Sequence, residues 1–420
     1  MSDKPALAAQ ATSPERVEFY RHQLGEDEAA SWRKVLDTLF LTLGPQVAAF
    51  EQELCAFLRR GRDESAPPLY GVGTNCCSLG LLIALKALDV GPGDEVITTA
   101  MTFASTTNAI MHLGAKPVLV DVEKTTGLID PKAVLAAIGP RTKGILPVHL
   151  YGQLADMASL RGIADARKLF IVEDSAHGIE MERDGVRPGD LGDAAVFSFY
   201  ATKNLTSGDG GAVVTRHAQV AERLRRLRNH GVSKAAADRH GKAYQHWDLV
   251  ELGYKANLTD LEAALLRPQL AKVEEKRDAR ERLVRRYESQ LREGLLQTRA
   301  SSAPSGALFR DPSETGVPFL VERRGKSSHH LFTIQPPASI RDELLSYLSA
   351  AGIGTAVNYR AIHTLTYLVE SLKIPRGTLP VAEEIGDRTI SLPLYPTLDE
   401  RAQDRVITAV VEGCTTLLSR

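Results

Sequence analysis

Long apolar runs, excess charge of either sign and paired cysteines are all scarce in this 420-residue chain, and each shortage removes a class of function. The best apolar stretch, Leu79–Leu88, is interrupted by Lys86 and falls well short of the ~20 residues of a membrane-spanning helix, so no membrane partner is expected. Lysine plus arginine (51) nearly balances aspartate plus glutamate (52), a formal net charge of −1. There is no global basic field for nucleic acid or an anionic bilayer. The four cysteines are Cys55, Cys76, Cys77 and Cys414. None has a CxxC partner, and adjacent Cys76-Cys77 lacks metal-ligand spacing, so they read as small buried thiols in a reducing cytoplasm and no metal site is expected. The start, MSDKPALAAQATSPERVEFY, lacks the basic segment and apolar core of a signal peptide, which gives a cytoplasmic expectation. No GxGxxG follows a first strand, which argues against a nicotinamide-dependent enzyme.

What the chain does have is alternation. Its length implies a large domain with a smaller one. Residues 1–15 read as a mobile tail, with a domain plan of tail 1–20, large domain 21–265 and C-terminal domain 266–420. Helices are expected at Glu26–Leu39 and Gln46–Arg59, with a polar loop over Arg60–Pro68. Then short apolar runs and helical patterns take turns. Strands are expected at Glu95–Thr98, Pro117–Val120, Gly144–Val148, Leu169–Val172, Ala194–Phe199 and Gly211–Thr215. Helices are expected at Leu79–Leu88, Ser105–Leu113, Pro131–Ala137 and Ala155–Ala166. The strands are continuous apolar runs, so the expected fold class is α/β, a mostly parallel mixed sheet covered by helices on both faces. Beyond it lie a long charged helix within Leu258–Leu295, a possible strand at Phe319–Val321, and an α+β pattern: strand Leu331–Gln335, helix Arg341–Ala351, strand Thr355–Tyr359 and helix Leu398–Ser419.

Two residues after strands carry chemistry. Asp174 follows Leu169–Val172, and in an open parallel sheet ligands bind beyond the carboxyl ends of strands. Lys203 lies in FSFYATKNLTSGDGGAVV between two apolar strands. Such flanks imply partial burial, which lowers a lysine's pKa and frees its amine as a nucleophile toward carbonyls, pyridoxal 5′-phosphate (PLP) among them. PLP also needs a phosphate cup, an acid at its ring nitrogen and a wall against its ring. Asn75–Ser78, just before a helix, offers the cup, Asp174 the acid and Phe103 the wall. Singly, each reads as well as a loop cap, a serine N-cap or a core aromatic. Their combination in chain order carries the inference.

On these residues the chain resembles the fold-type I PLP enzymes, and among them the DegT/DnrJ/StrS sugar aminotransferases, from about Gln23 to the C-terminus. The stretches that carry the resemblance include VEDSAHG, FSFYATKNLTSGDGGAVVT, GYKANLTDLEAALLRPQL, GIGTAVNYRAIHTLTY, LTLGPQVAAFE and PVHLYGQ. The wording around Lys203, Lys255–Asp260 and Tyr359–His363 is most similar to members that aminate C4 of nucleotide-linked 4-keto sugars, the 4-amino-4-deoxyarabinose aminotransferases among them. The resemblance implies that Lys203 holds PLP and shuttles a proton, Asp174 pairs with the ring nitrogen, and His177 contacts the phenolic oxygen. It implies phosphate binding by Ser78, Ser198 and the Cys77 backbone, stacking by Phe103, and Asn257 reaching the cofactor of a neighbouring subunit in a homodimer with shared sites. Thr42, His149, Tyr151, Lys255, Tyr359, Arg360 and His363 fall at substrate-binding positions, for a nucleotide-linked keto sugar and a glutamate or glutamine donor. Two positions depart from the family pattern. Cys76-Cys77-Ser78 stands where Ser-Gly-Thr is common, and Ala256 where an aromatic is usual. Relatives that act as sugar 3-dehydratases replace the lysine by histidine, so Lys203 argues against that alternative. Intact Lys203, Asp174 and His177 argue against a silent PLP-binding regulator.

Overall fold

Strand Ala194–Ser198 shows why the apolar runs do not alternate. Ala194 and Val196 enter one buried cluster with the helix Cys77–Ala87, while Ala195 and Phe197 enter another with Pro45–Leu58 and Asp260–Ala271. Successive side chains leave opposite faces of a strand, so a sheet covered on both faces needs apolar residues at every position.

The computed structural model describes residues 16–63, 65–233, 246–302 and 324–420. The main sheet has seven strands: β1 (Tyr70–Thr74), β2 (Glu95–Thr99), β3 (Lys116–Val120), β4 (Thr142–Leu146), β5 (Phe170–Asp174), β6 (Ala194–Ser198) and β7 (Gly211–Thr215). Their order is β1-β7-β6-β5-β4-β2-β3. Strand β7 runs antiparallel to β1 and β6, and the other pairings are parallel. Helices α1 (Glu26–Leu36), α2 (Pro45–Leu58), α3 (Cys77–Ala87), α4 (Ala104–His112), α5 (Pro131–Ala137), α6 (Met157–Arg167), α7 (Ala218–Leu227) and α8 (Asp260–Ala271) accompany it. This is the expected α/β, fold-type I arrangement.

The C-terminal part holds α9 (Val273–Ser302), β8 (Phe332–Ile334), α10 (Ala338–Ala350), α11 (Thr366–Leu372), α12 (Pro380–Arg388), β9 (Ile390–Leu392) and α13 (Glu400–Leu418).

 
Strands β8 and β9 form an antiparallel pair, Phe332 opposite Leu392. Around them Val284, Tyr287, Leu291, Leu344, Val406 and Val410 build a second buried core.

The structure corrects several sequence expectations. The single long helix is two, parted at Lys272 between α8 and α9. The expected strand Thr355–Tyr359 is irregular chain with one bridge, Ala356 to Ser391. Strand β1 went unread because Gly71 and Gly73 look like loop. They are there for room: a Cβ at Gly71 would stand 2.8 Å from the Glu51 carbonyl of α2, and one at Gly73 2.9 Å from Leu258. Of residues 16–20, assigned to the tail, Val17 is buried in the second core and bridged to Ile353. Residues 1–15 and the possible strand Phe319–Val321 lie outside the described residues.

Candidate active site

The carboxyl ends of β2, β5 and β6 open on one cavity of about 640 Å³, and the sheet order explains why. Strand β5 ends at Asp174 and β6 at Ser198, side by side, and the chain leaving β2 reaches Phe103 at the start of α4. The N-terminus of α3 meets the same space through Cys76, Cys77 and Ser78. A glycine permits that approach: a Cβ on Gly211 would lie 2.7 Å from the Cys77 backbone nitrogen. The Cys76 thiol caps the helix, accepting from the Leu79 N–H at 3.4 Å, so the Ser78 hydroxyl is not used as the cap and instead meets Ser105 Oγ at 2.7 Å. Cys77 is buried in the apolar cluster around α3.

Asp174 is buried and held from two sides. Its Oδ2 accepts from Thr106 Oγ1 at 2.7 Å, and its Oδ1 accepts from the Ala176 N–H at 3.1 Å. Thr106 is in turn 2.6 Å from Thr102 Oγ1. Burial pushes the Asp174 carboxyl above the usual carboxylate range, opposed by these hydrogen bonds and by Lys203. No cation lies within ion-pairing distance of it among the described residues, so a ring nitrogen that carries a proton suits it.

Lys203 follows β6 in a turn closed by its own N–H donating to the Tyr200 carbonyl at 2.8 Å. Burial draws its amine down to about 8, against the opposing pull of Cys77 and Asp174. An amine in that range is partly neutral near physiological pH and can act as nucleophile and as acid-base group. His177 faces the same cavity. Its Nδ1 accepts from the Tyr151 N–H at 3.0 Å, which leaves Nε2 to donate to Tyr359 Oη at 3.1 Å. Burial keeps this imidazole neutral. Phe103 lines the mouth with 60% of its surface exposed, and its ring lies 5.9 Å from that of Tyr359.

The cavity therefore brings together Cys77, Ser78, Phe103, Asp174, His177, Ser198, Lys203 and Tyr359. Other expected residues are elsewhere. His149 is fully buried between Glu173 Oε2 at 2.8 Å and the Ala155 N–H at 3.2 Å, so it cannot touch a substrate. His363 is enclosed against Glu383 at 3.0 Å. Tyr151 is also buried and supports the wall from behind, its hydroxyl donating to the Asn358 carbonyl at 2.7 Å. Arg360 is exposed and outside the cavity lining. Thr42, Lys255 and Asn257 are absent from the cavity lining, and Asn257 Nδ2 donates to Thr42 Oγ1 at 2.6 Å. Sequence reasoning missed Thr106, His330, Phe19 and Tyr20. The last three lie in the cavity wall, Phe19 and Tyr20 just after Val17 of the second core and His330 just before β8.

Amine, carboxylate and helix N-terminus are the three donor types that PLP requires, and they face one space. Comparison with known proteins agrees. The DegT/DnrJ/EryC1/StrS aminotransferase family model matches residues 22–411. The spore coat polysaccharide biosynthesis protein SpsC of Bacillus subtilis is 35% identical over 395 residues, 92% of this chain and 94% of its own length. Among solved structures, DesV of S. venezuelae has a TM-score of 0.80 at 34% identity, covering 95% of this chain and 99% of its own. The PLP form of Spr1654 from Streptococcus pneumoniae has a TM-score of 0.81 at 26% identity, covering 96% and 99%. The chain belongs to the DegT/DnrJ/EryC1/StrS aminotransferase family and is a PLP-dependent transaminase.

Proposed function

We propose that this enzyme moves an amino group from L-glutamate or glutamine to C4 of a nucleotide-linked keto sugar. One observation carries the reading: the Lys203 amine, the Asp174 carboxylate and the N-terminus of α3 converge on a single cavity. When bound, PLP supplies an electron sink for the carbon that carries the migrating nitrogen. Lys203 holds the cofactor through Nζ. Once released, Nζ takes the Cα proton of the amino-acid donor, and later returns a proton to the sugar carbon. An amine near 8 serves both directions. Asp174 keeps the proton on the ring nitrogen. The Ser78 and Ser198 hydroxyls, with the N–H groups that begin α3, bind the phosphate. Phe103 covers the ring face. With PLP bound, His177 would stand beside the ring, its Nε2 proton committed to Tyr359, which lines the same cavity.

The C4 and nucleotide parts of the reading rest on the resemblance around Lys203 and Tyr359. A panel of nucleotide-linked 4-keto and 3-keto sugars, each with glutamate or glutamine, tests them by release of the 2-oxo acid. The 4-keto compounds are expected to turn over at least tenfold faster. A preference for 3-keto sugars, or equal turnover of a sugar without its nucleotide, would contradict them.

We also infer a homodimer in which Thr42, Lys255 and Asn257 serve the partner's cavity. These residues lie outside their own cavity, and Asn257 Oδ1 is buried without a hydrogen-bond partner. Nearby in the chain, Leu39 and Leu252 are 87% and 76% exposed, apolar surface suited to an interface. Mixing inactive Lys203→Ala and Asn257→Ala subunits should restore measurable activity. Heterodimers that form yet stay inactive would rule out sharing.

A further inference from the structure

Lys203 has a neighbour that the reading above leaves unused. His330 Nε2 lies 3.4 Å from Lys203 Nζ, in the chain just before β8. On its other side, His330 Nδ1 lies 3.4 Å from Asn204 Oδ1. The Asn204 amide is oriented by its own partners. Its Nδ2 donates to the Ser328 carbonyl at 3.0 Å and to Glu180 Oε1 at 3.3 Å, and both are acceptors only. Those acceptors are fixed by Arg280, which donates from Nε to the Ser328 carbonyl at 3.0 Å and from Nη2 to Glu180 Oε1 at 2.7 Å. The Asn204 oxygen must therefore face His330 Nδ1, which places the imidazole proton on Nδ1. The lone pair of Nε2 is left pointing at the Lys203 amine.

We propose that His330 is a positioning residue for the Lys203 amine, and that Asn204 selects the imidazole tautomer that lets it act. The inference rests on Lys203 being the reacting amine. A lysine side chain released from a covalent bond has four flexible carbons and no fixed direction. An acceptor at Nε2 holds one N–H and leaves the amine's own lone pair free for the substrate. The same acceptor favours the ammonium form, against burial, which favours the neutral one. Burial keeps His330 itself neutral and so able to accept.

Other titratable groups surround the amine: Asp174 at the end of β5, His177 beyond it, Cys77 at the start of α3, Tyr359 across the cavity, and the Glu180–Arg280 pair behind His330. The test leaves all of them in place. A glutamine at 330 can put an amide oxygen where Nε2 stands, whereas an asparagine reaches only the Nδ1 position. The full-length protein, stripped of cofactor, is treated with a small amine-acylating reagent from neutral to alkaline pH, and Lys203 modification is read by peptide mass spectrometry. The wild-type midpoint is expected at about 8. His330→Asn should lower it by about one pH unit, a tenfold change in the protonated fraction, because the ammonium loses an acceptor. His330→Gln should keep the wild-type midpoint. In the holoenzyme, His330→Asn should lower kcat about tenfold with KM within about twofold, since positioning and not binding is lost. Asn204→Leu, which frees the ring to turn over, should shift the midpoint as His330→Asn does. A His330→Asn midpoint equal to wild type overturns the proposal, as does an equal shift in His330→Asn and His330→Gln. Failure of the Lys203 reading would show separately, as a cofactor that borohydride does not fix to Lys203.

Discussion

Lys203→Ala is expected to lower kcat by roughly a thousandfold or more, because under the proposed function one substitution removes both the covalent anchor and the proton carrier. No second amine can take over: Lys203 is the one lysine among the described residues that line the cavity. The loss should not come from unfolding. Among the described residues the Lys203 amine makes a single long polar contact, to His330, and its burial is a cost to the ammonium form. Thermal unfolding of the cofactor-free variant should accordingly match or exceed that of the wild type, while turnover collapses. The wild-type rate should also fall below about pH 8, where the amine is held protonated. A variant that keeps a tenth of wild-type turnover would show that another group does the chemistry.

Asp174→Asn is the second large effect, expected at about a hundred- to a thousandfold in kcat with weakened cofactor retention. Asparagine preserves the shape and can still accept from Thr106 through its amide oxygen. It loses the negative charge that holds a proton on the ring nitrogen. The sign of the stability change separates this from a structural defect. Burial raises the Asp174 pKa in the folded chain, so its contribution to stability is present at low pH and is lost as pH rises through the folded value. Near neutral pH the buried carboxylate therefore costs the cofactor-free protein stability, and Asp174→Asn should unfold at the same temperature or higher. With PLP added, the order should reverse, because the wild type gains more from binding. A variant that is less stable without cofactor and loses activity in proportion would mark Asp174 as structural.

How far the sequence could be read depended on distance along the chain. The run from Gly73 to Thr215 announces its sheet through short apolar strands, and it delivers Ser78, Phe103, Asp174, Ser198 and Lys203 to strand ends and a helix start. Those positions follow from local pattern plus the rule that strand ends face the crevice. Thr106 escaped notice because a threonine inside a helix gives no hint of a carboxylate 68 residues away. His330 escaped because its neighbours, Asn204, Glu180 and Arg280, come from three separate parts of the chain. The opposite error arose with His149 and His363. The resemblance that puts them at substrate-binding positions carries no sign of the buried glutamates, Glu173 and Glu383, that hold these two rings. The irregular stretch Thr355–Tyr359 has strand composition, yet its one bridge among the described residues is Ala356 to Ser391; the Asn358 carbonyl accepts from the Tyr151 hydroxyl instead, and Tyr359 meets His177.

Above all, we propose that Lys203 is the residue that carries the cofactor. Borohydride reduction of the PLP-loaded protein, followed by proteolysis and mass spectrometry, addresses it directly. The reduced cofactor is expected on the peptide that contains Lys203, in near-stoichiometric amount, and not in Lys203→Ala. A reduced adduct on a different lysine, or none at all in a protein that turns over, would contradict it.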